Sequence, residues 1–578
     1  MSRQEDGMGG TDRGESEILD RFFDHYYRHR PVNSTFTGVH DFDGSLPDWS
    51  PSGIEATVSE MESLRAEITE QLDRPDPDGG PPISLSPKEI DLTLAGAFLE
   101  IQIAELEGAH FQRGNPALYT GEAVFGAVSL MLRSFAPAPE RVQSLEARLE
   151  AIPRFLKAAE SALGSHPMPR SWKDRALDEC VGARKLFDRG VGAWCQFNDL
   201  SGETEAALLA SAAQALNAFD EFGSWIRSRP DAEPEASGAG EEFYDLLLSR
   251  GHSDTRSRAE LLEEVTHRFE EEEAKLTEMT VAVDRGGWNS VADRLGSLHP
   301  QAADYLSEFG RCWQECKKIA NDHDLVTWPD YPIEYSQIPE WAAEAAPNLY
   351  FLNYRSPAPL DDSGTHIYLA PPLPENADSK ALDSFLRAVN YSVIKLNHVV
   401  HHGALGHHVQ NYYAGKSRSR IGQVAAVDGA SRIGMFCGGS MAEGWACYAT
   451  DLMGEVGFLS ELELIAEQHS RLRQLARAIV DINLHQRTWS EKEAQMFWQE
   501  RIGAGERAAC REITRTSMFP GTAIMYWLGT QGIHDLRKEI RAVKGAEFNM
   551  RSFNDEVLSY GSIPVQLIAR LMVESNSK

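Results

Sequence analysis

Apolar residues recur at the spacing of an α-helix along most of this chain. Between Ser16 and His29 they fall on one helical face, which comprises Ile18, Leu19, Phe22, Phe23 and Tyr26. The same spacing continues from Pro87 to His110, after a Ser-Pro pair that is typical of a helix start. It returns in segments 140–164, 171–191, 203–227 and 256–284. These patterns predict a mainly α-helical protein.

The helical spacing is interrupted between residues 323 and 370. Six prolines fall there, and the stretches TWPDYPIEYSQIP and GTHIYLAPP are rich in aromatic and β-branched residues. This composition is typical of short strands, so we predict a small sheet or hairpin beside the helical body. In the second stretch, His366 and Tyr368 either line a cleft or are ordinary strand residues.

Three polar segments bear on the domain organisation. Residues 1–16 are polar and glycine-rich, which predicts a disordered tail, and the prolines and paired glycines of Asp73–Ser86 predict a surface loop. The best linker candidate is segment 229–241, but helical patterns flank it, which suits a long loop within one fold. We therefore predict a single domain over residues 17–578.

The bulk composition narrows the class of protein. The 578 residues are 42% hydrophobic and 25% charged, as in a globular protein, and the net charge of −31 argues against nucleic acid or an anionic membrane as a partner. No apolar run reaches the length of about 18 residues that a membrane span needs, and the N-terminus lacks the apolar core of a signal peptide. Seven cysteines without a C-x-x-C pair suit a reducing compartment. We expect a cytoplasmic protein, and a homodimer is compatible with these properties.

Candidate chemistry is concentrated between Lys395 and Gln410, in the sequence KLNHVVHHGALGHHVQ. Five of the eighteen histidines lie here, namely His398, His401, His402, His407 and His408. Imidazole is the commonest protein ligand for transition metals and titrates near pH ~6.5, so the cluster predicts a metal site, a proton shuttle or both. The alternative is a polar helix end that carries solvated histidines.

Helix geometry limits which of these histidines can act together. His401 and His408 share a helical face, but seven residues of helix separate them by about 10 Å, too far for metal bonds of about 2.0 Å. A break at Leu405-Gly406 would bring His407 or His408 back towards His401, because glycine is poorly suited to a helix interior.

A carboxylate further along the chain completes the candidate site. Residues 438–452 follow a Gly-Gly break and predict a second long helix with Glu443 in its first turns. Carboxylates are rare on a largely apolar helix such as MAEGWACYA unless they are paired or bind a metal. Glu443 is thus a candidate ligand with His401 and one of His407 and His408, or else it interacts only with the helix dipole. Imidazole and carboxylate ligands favour zinc, and iron or manganese would also be compatible.

A further polar pattern lies on the helix predicted from Leu472 to His485. Arg477 and Asp481 stand four residues apart and could form an ion pair, and Asp481 and His485 have the same spacing. An Asp–His pair either supports catalysis, by fixing a tautomer or tuning a general acid, or is a buried structural contact. We treat Asp481 and His485 as catalytic candidates.

Several motifs together resemble one bacterial family. The histidine stretch resembles the H-E-x-x-P-G-H-H signature of the bacterial "domain of unknown function 885" (DUF885) proteins. Other family motifs are matched in order by Pro31, Thr35, Gly38 and His40; by Glu443–Ala446; by Asp481 and His485; by Pro520, Gly521, Tyr526 and Gly529; and by Phe553–Pro564. The resemblance extends from residue 18 to residue 572.

This resemblance implies both a fold and an activity. It implies a large helical domain related to zinc metallopeptidases, with a deep cleft and a small β element. It also implies metal-dependent hydrolysis of a peptide, an amide or a small conjugate, and it points to Glu443 as a metal ligand. Tyr526, on the family pattern, could donate a hydrogen bond to an oxyanion or could be a core tyrosine.

The chain departs from the family pattern at several polar positions. His402 stands where the family has a glutamate after its first motif histidine, and Leu405 replaces the following proline. In metallopeptidases of the H-E type that glutamate takes a proton from metal-bound water. Thr450, Thr522 and Asn554 replace a glutamate, a glutamine and a histidine. His402 could be the base in its neutral form or an additional ligand.

These residues fit three functions. The first is a metal-dependent hydrolase with an altered site in which His402 is a catalytic residue. The second is a repurposed lyase or tailoring enzyme that acts on a small molecule, and the third is a catalytically silent relative that binds a peptide or a small molecule. The retained histidines, Glu443, Asp481 and Tyr526 favour an enzyme, whereas the missing glutamate favours the silent binder.

Overall fold

The computed structural model describes residues 10–73, 86–283, 285–349, 354–355, 357–361, 366–374, 377–426 and 432–576. Within these ranges the protein is mainly α-helical with one small sheet, as the sequence predicted. No helix in these ranges combines the length and the apolarity needed to cross a bilayer.

Thirteen α-helices precede the sheet in the described part of the chain. They are α1 (Gly10–His29), α2 (Pro31–Thr37), α3 (Pro51–Leu72), α4 (Pro87–Glu107), α5 (Pro116–Leu132), α6 (Ala138–Leu163), α7 (Arg170–Lys185), α8 (Val191–Phe197), α9 (Glu203–Arg227), α10 (Glu241–Leu246), α11 (Arg258–Val283), α12 (Gly287–Ser297) and α13 (Tyr305–Asp322). Local sequence fixes several starts: Ser86 and Glu89 form a capping box at α4, where Pro87 occupies the first turn. Among these helices, α6 packs along α9, and α5 contacts both α6 and α7.

The structure moves the predicted start of the first helix. Helix α1 begins at Gly10, six residues before the predicted start, so the last residues of the predicted tail are helical. The prediction rested on the polar, glycine-rich composition of the tail. Once a helix is nucleated further along, each added residue gains a backbone hydrogen bond, so even residues of low helix propensity can extend it. Residues 1–9 of the predicted tail and residues 74–85 of the predicted loop lie outside the described residues.

The predicted small β element is a three-stranded sheet. Its strands are β1 (Ile333–Gln337), β2 (Tyr354–Arg355) and β3 (His366–Ala370), in the order β1-β3-β2. Strand β1 runs parallel to β3, with Tyr335 opposite Tyr368, and β2 runs antiparallel to β3. The sheet is too small to form a layer of its own and packs against α13.

The remaining helices surround the candidate site. They are α14 (Glu340–Ala343), α15 (Ser379–Ala388), α16 (Tyr391–Val393), α17 (His407–Ala414), α18 (Arg420–Val424), α19 (Gly439–Glu455), α20 (Glu461–His485), α21 (Glu491–Ile502), α22 (Glu506–Met518), α23 (Met525–Lys544), α24 (Met550–Ser559) and α25 (Val565–Asn576). Two π-helical segments, Ile394–Gly403 and Gly434–Gly438, lie before α17 and α19. Such segments are often found at functional sites.

The closest packing in this half of the molecule is between α19 and α23. A Cβ atom on Gly529 would lie 1.8 Å from the carbonyl oxygen of Ser440, and one on Gly444 would lie 2.4 Å from Gly529 Cα. Only glycine permits the two backbones to approach so closely. The contact places Glu443 on α19 beside Tyr526 on α23.

Candidate metal centre

The histidine stretch changes direction between its two halves. The π-helical segment Ile394–Gly403 carries His401 and His402, and α17 begins at His407. At Gly406 between them, a Cβ atom would lie 1.9 Å from the His401 carbonyl oxygen, so a side chain cannot be accommodated there. The predicted break is confirmed, and it brings the His407 ring centroid to 4.9 Å from that of His401.

Three imidazoles converge as a result. Ring nitrogens of His401, His402 and His407 all lie within 4.8 Å of one another, a separation that suits ligands of one metal ion. His402 Nδ1 lies 2.6 Å from the carbonyl oxygen of Asn397. Because a carbonyl only accepts hydrogen bonds, Nδ1 carries the proton and Nε2 keeps its lone pair for a metal or a proton.

Glu443 joins this group from α19. Its Oε2 lies 3.3 Å from His401 Nε2 and 3.8 Å from His407 Nε2, and it is buried without a hydrogen bond in the described part of the chain. Burial opposes ionisation of Glu443, but His401, His407 and the charge of Arg515 outweigh it and hold the pKa of the carboxyl well below its ordinary value. We refer to His401, His402, His407 and Glu443 as the central cluster.

Tyr526 and two arginines support the carboxylate. The Tyr526 hydroxyl donates to Glu443 Oε1 at 3.1 Å, and the Arg515 guanidinium lies 3.4 Å from the same hydroxyl. The guanidinium of Arg477 lies 4.5 Å from the centre of the Tyr526 ring and pairs with Glu512 at 2.7 Å. Burial raises the pKa of Tyr526 to about 12, so its hydroxyl keeps its proton at neutral pH and remains a donor.

His408 does not belong to the central cluster, which corrects its assignment as a candidate ligand. Its ring lies 4.4 Å from that of His366 and 5.5 Å from that of Tyr331, in a fully buried aromatic environment. Successive residues of a helix point roughly 100° apart. Here His407 faces Glu443, whereas His408 faces His366 and Tyr331.

The predicted strand residues lie behind the central cluster. The Tyr368 hydroxyl is 2.6 Å from His398 Nδ1, and the Tyr368 ring centroid lies 6.0 Å from that of His402. Tyr368 and His366 are both buried. They pack against the histidine segment rather than lining an open cleft.

The predicted ion pair between Arg477 and Asp481 does not form. The Asp481 carboxylate instead accepts hydrogen bonds from three backbone N–H groups, those of Gly521, Ala523 and Ile524. Spacing of four residues allows contact but does not require it, and three fixed amides outcompete one flexible guanidinium.

The contacts of His485 are also structural. It is fully buried, its Nε2 lies 3.0 Å from the Thr516 carbonyl, and its Nδ1 accepts from the N–H of Ala239. Asp481 lies 3.4 Å from its Nε2. These contacts favour a positioning role for Asp481 and His485 over the catalytic role considered from the sequence, since Asp481 holds the turn that leads into Tyr526.

Comparison with known proteins places this architecture in a family. Residues 31–572 match the family described as "Bacterial protein of unknown function (DUF885)". The chain belongs to the DUF885 family. Among curated proteins, none matches the chain.

Two solved structures share the fold of this DUF885 protein. A Shewanella oneidensis protein described as a "putative lipoprotein of unknown function" has a TM-score of 0.75 and 22% identity over 97% of this chain and 99% of its own. A "putative lipoprotein" from Colwellia psychrerythraea has a TM-score of 0.77 and 15% identity over 98% of this chain and 99% of its own. At these identities the likeness concerns the fold.

Two of the positions at which the chain departs from the DUF885 pattern make buried structural contacts. The Thr450 hydroxyl donates to the Cys447 carbonyl at 2.6 Å. Asn554 donates to the Leu325 carbonyl at 2.7 Å and accepts from the Tyr448 hydroxyl at 3.2 Å. The departure at His402 is the one that changes the central cluster itself.

A cavity adjoins the central cluster. It has a volume of about 440 Å³, within the range of small-ligand pockets, and His407, Glu443 and Arg515 line it. The N-terminal part of the chain contributes Arg30 and Glu122 to the same cavity. A wider groove of about 1630 Å³ lies elsewhere, along α3, α4 and α10, where exposed charges such as Glu62 and Glu260 meet solvent.

A second histidine–carboxylate group lies near the N-terminus and was not predicted. His25 Nδ1 and His29 Nε2 each lie 3.1 Å from Glu60 Oε2, and we refer to these three residues as the N-terminal cluster. Arg28 donates to the same carboxylate oxygen at 3.1 Å. That guanidinium already supplies a positive charge, so we assign no metal there.

Sequence reasoning also missed Arg515, Arg30 and Glu122. They lie far from the histidine motif in the sequence, and only the fold brings them to the cavity. Glu122 could have been identified from the sequence, because it is the one carboxylate of the apolar helix α5, PALYTGEAVFGAVSLML. The same argument from a lone acidic residue identified Glu443.

Proposed function

We propose that this DUF885 protein is a metal-dependent enzyme that hydrolyses a peptide, an amide or a small conjugate. The observation that supports this most is the convergence of His401 Nε2 and His407 Nε2 on the buried Oε2 of Glu443. That oxygen makes no hydrogen bond within the described residues. Burying a carboxylate oxygen is costly, and a divalent cation held between it and the two imidazoles would compensate its charge.

The donor set fits a metal ion. His401, His407 and Glu443 would hold it, with His402 either as a fourth ligand or as a base. Two or three imidazoles and one carboxylate favour zinc, and the same set accepts iron or manganese. When bound, such a metal polarises a carbonyl or lowers the pKa of a coordinated water.

The protein side chains would supply the remaining chemistry. Tyr526 has its donor hydroxyl 3.1 Å from Glu443 and can turn it towards charge that develops on a carbonyl oxygen. Arg515 adds a fixed positive charge behind that hydroxyl. His402, with its proton on Nδ1, presents Nε2 as the acceptor for a proton from the attacking water.

One observation favours a second candidate, a lyase or a catalytically silent binder. Imidazole occupies position 402, where the DUF885 pattern has the carboxylate that activates water in H-E metallopeptidases. If His402 binds the metal, the site would have no general base among its cluster residues. The central cluster would then bind a substrate without hydrolysing it.

Reconstitution tests the proposal and separates these candidates. The purified chain is stripped with EDTA, reloaded with zinc, manganese or iron, and assayed against peptides, amides and small conjugates. We expect hydrolysis to require one of these metals, to disappear in His402→Ala, and to recover at least in part in His402→Glu. The matched control is Glu60→Ala in the N-terminal cluster, which should behave as the unaltered protein.

The proposal would be contradicted if both His402→Ala and His402→Glu kept full activity, or if the protein hydrolysed these compounds without metal. If the unaltered protein binds metal without hydrolysing any compound, and His402→Glu does hydrolyse one, the silent binder would be supported.

The cytoplasmic location and the homodimer stay predictions. The description of two structural relatives as lipoproteins favours a different expectation, attachment to a membrane through lipid. Cell fractionation of the full-length protein distinguishes the two locations.

A further inference from the structure

The cavity beside the central cluster contains two hydrogen-bond acceptors without donors. Glu122 Oε1 and Gln112 Oε1 are both buried, and neither makes a hydrogen bond within the described residues. Both residues line the cavity. Buried acceptors in native proteins are almost always satisfied, so the pair indicates a ligand that carries donors.

Two charged groups near Glu122 have other partners. Glu179, on the same cavity, pairs with Arg175 at 2.7 Å. Arg148 donates to the carbonyls of Gly126 and Pro31 at 2.8 and 3.0 Å.

Arg30 hydrogen-bonds to Gln102. Burial raises the pKa of Glu122 to about 7, although the charges of Arg30 and Arg148 oppose the shift. Glu122 is therefore a carboxyl that a cationic ligand would convert to its ionised form.

We propose that Glu122, with Gln112 on the wall of the same cavity, binds the ammonium group of an amine-bearing amide substrate. An ammonium group has three donors and one positive charge, which match a carboxylate and an amide oxygen. The inference rests on the proposed function, because it places the amide of the same molecule at His407 and Glu443, on the wall of the same cavity.

Apolar residues of the cavity wall would contact the rest of the ligand. Leu118, Phe125, Met435, Met518 and Met525 line the cavity along with the polar groups. Methionine adapts its shape to irregular ligands. The substrate class is thus a small aminoacyl amide with a free amino group and an apolar side chain.

Calorimetric titration tests this with three small probes. L-leucinamide carries the ammonium group, 4-methylpentanamide has the same skeleton without it, and N-acetyl-L-leucine carries a carboxylate instead. The full chain is titrated at pH ~7, where an α-amino group is mostly protonated, as purified and after dialysis against EDTA. In the EDTA-treated sample hydrolysis is prevented, so the readout there is binding alone.

We expect L-leucinamide to bind about 10- to 100-fold more tightly than 4-methylpentanamide, the range of a charge-assisted hydrogen bond. Glu122→Gln should abolish this preference, and Glu122→Asp should retain part of it. Glu62→Gln, at an exposed position in the wider groove, is the matched control and should keep the full preference. Thermal melting establishes that each variant is folded.

Equal affinity for the two amides, or a preference that survives in Glu122→Gln, would overturn the inference. So would tighter binding of N-acetyl-L-leucine than of L-leucinamide, which would identify an arginine of the cavity wall as the recognition group. A Glu122-dependent preference in a protein that binds no metal would leave this inference standing while the proposed function fails. Metal-dependent hydrolysis without the preference for L-leucinamide would support the proposed function and overturn this inference.

Discussion

The central and N-terminal clusters have similar composition and different surroundings. Both hold imidazoles and one glutamate within the reach of a single cation. In the N-terminal cluster the side chain of Glu60 is 43% exposed and also bonds Arg28, whereas in the central cluster that of Glu443 is 14% exposed. The same residue types therefore form an ordinary surface ion pair in one place and a candidate metal centre in the other.

The difference shows that proximity of ligands does not by itself define a metal site. Glu60 has a cationic partner and water to solvate it, so a metal would have to displace Arg28. Glu443 has a neutral tyrosine as its hydrogen-bond donor and one oxygen left over. What distinguishes the central cluster is a buried carboxylate whose neighbours are imidazoles and a tyrosine rather than a bonded guanidinium.

The largest expected effect concerns the backbone that holds the central cluster together. Gly529→Ala would place a Cβ atom 1.8 Å from the Ser440 carbonyl, so α19 and α23 must separate. We expect a loss of at least about 3 kcal/mol in the free energy of unfolding, measured by urea denaturation. Gly310→Ala, on α13 with no atom within 4 Å of the added carbon, is the control and should be neutral or slightly stabilising.

Replacing one histidine in each cluster compares them directly. We expect His407→Ala to weaken divalent-metal binding by more than about 100-fold, beyond the range typical of a group that only supports a ligand. His29→Ala should leave the affinity unchanged, because Arg28 already neutralises Glu60. Competition with a chromophoric chelator measures both, and equal losses in the two variants would remove the distinction between the clusters.

Each cluster also offers a hydroxyl for deletion. Tyr526→Phe removes the donor to Glu443, and we expect turnover of the amide substrate to fall by about 100-fold while metal content is retained. Thr57→Val removes the hydroxyl that lies 3.0 Å from His29 Nδ1 and should leave turnover unchanged. Steady-state kinetics of both variants, with metal analysis, decides whether Tyr526 acts in the reaction or only in folding.

The smallest expected effect is a pH dependence in the N-terminal cluster. Burial lowers the pKa of His25 to about 4 from its ordinary 6.5, against the opposing attraction of Glu60. The native state therefore binds fewer protons than the unfolded chain between these values, so stability present above pH 6.5 is lost as the pH falls towards 4. We expect this loss, of roughly 3 kcal/mol at most, to shrink in His25→Gln.

Thermal melting between pH 4 and 7 measures this loss. His267→Gln is the matched control, since the His267 side chain is 72% exposed. An identical decline in the His25 and His267 variants would show that His25 does not contribute.

The sequence predicted those parts of the site that depend on local geometry. The break at Gly406 was predicted from the helix period and from glycine's poor fit in a helix. Glu443 was predicted as a ligand because a carboxylate is rare on an apolar helix. The mainly α fold followed from the helical spacing of apolar residues, and the small sheet followed from the prolines and the aromatic and β-branched residues of segment 323–370.

Other parts of the site depend on packing between distant segments and had no local signal. The π-helical hydrogen bonding of residues 394–403 is not visible in residue types. The choice of His407 over His408 depends on where α17 lies against α19. The pairing expected for Arg477 and Asp481 was wrong because Glu512 and three backbone amides compete for them.

Metal analysis of gently purified protein tests the central claim most directly. The samples are the unaltered chain, Glu443→Ala and His401→Ala from the central cluster, and Glu60→Ala from the N-terminal cluster. We predict about one divalent metal ion per chain, absent from the first two variants and retained in the third. A folded unaltered protein without metal after reloading, or metal that disappears only in Glu60→Ala, would contradict the account.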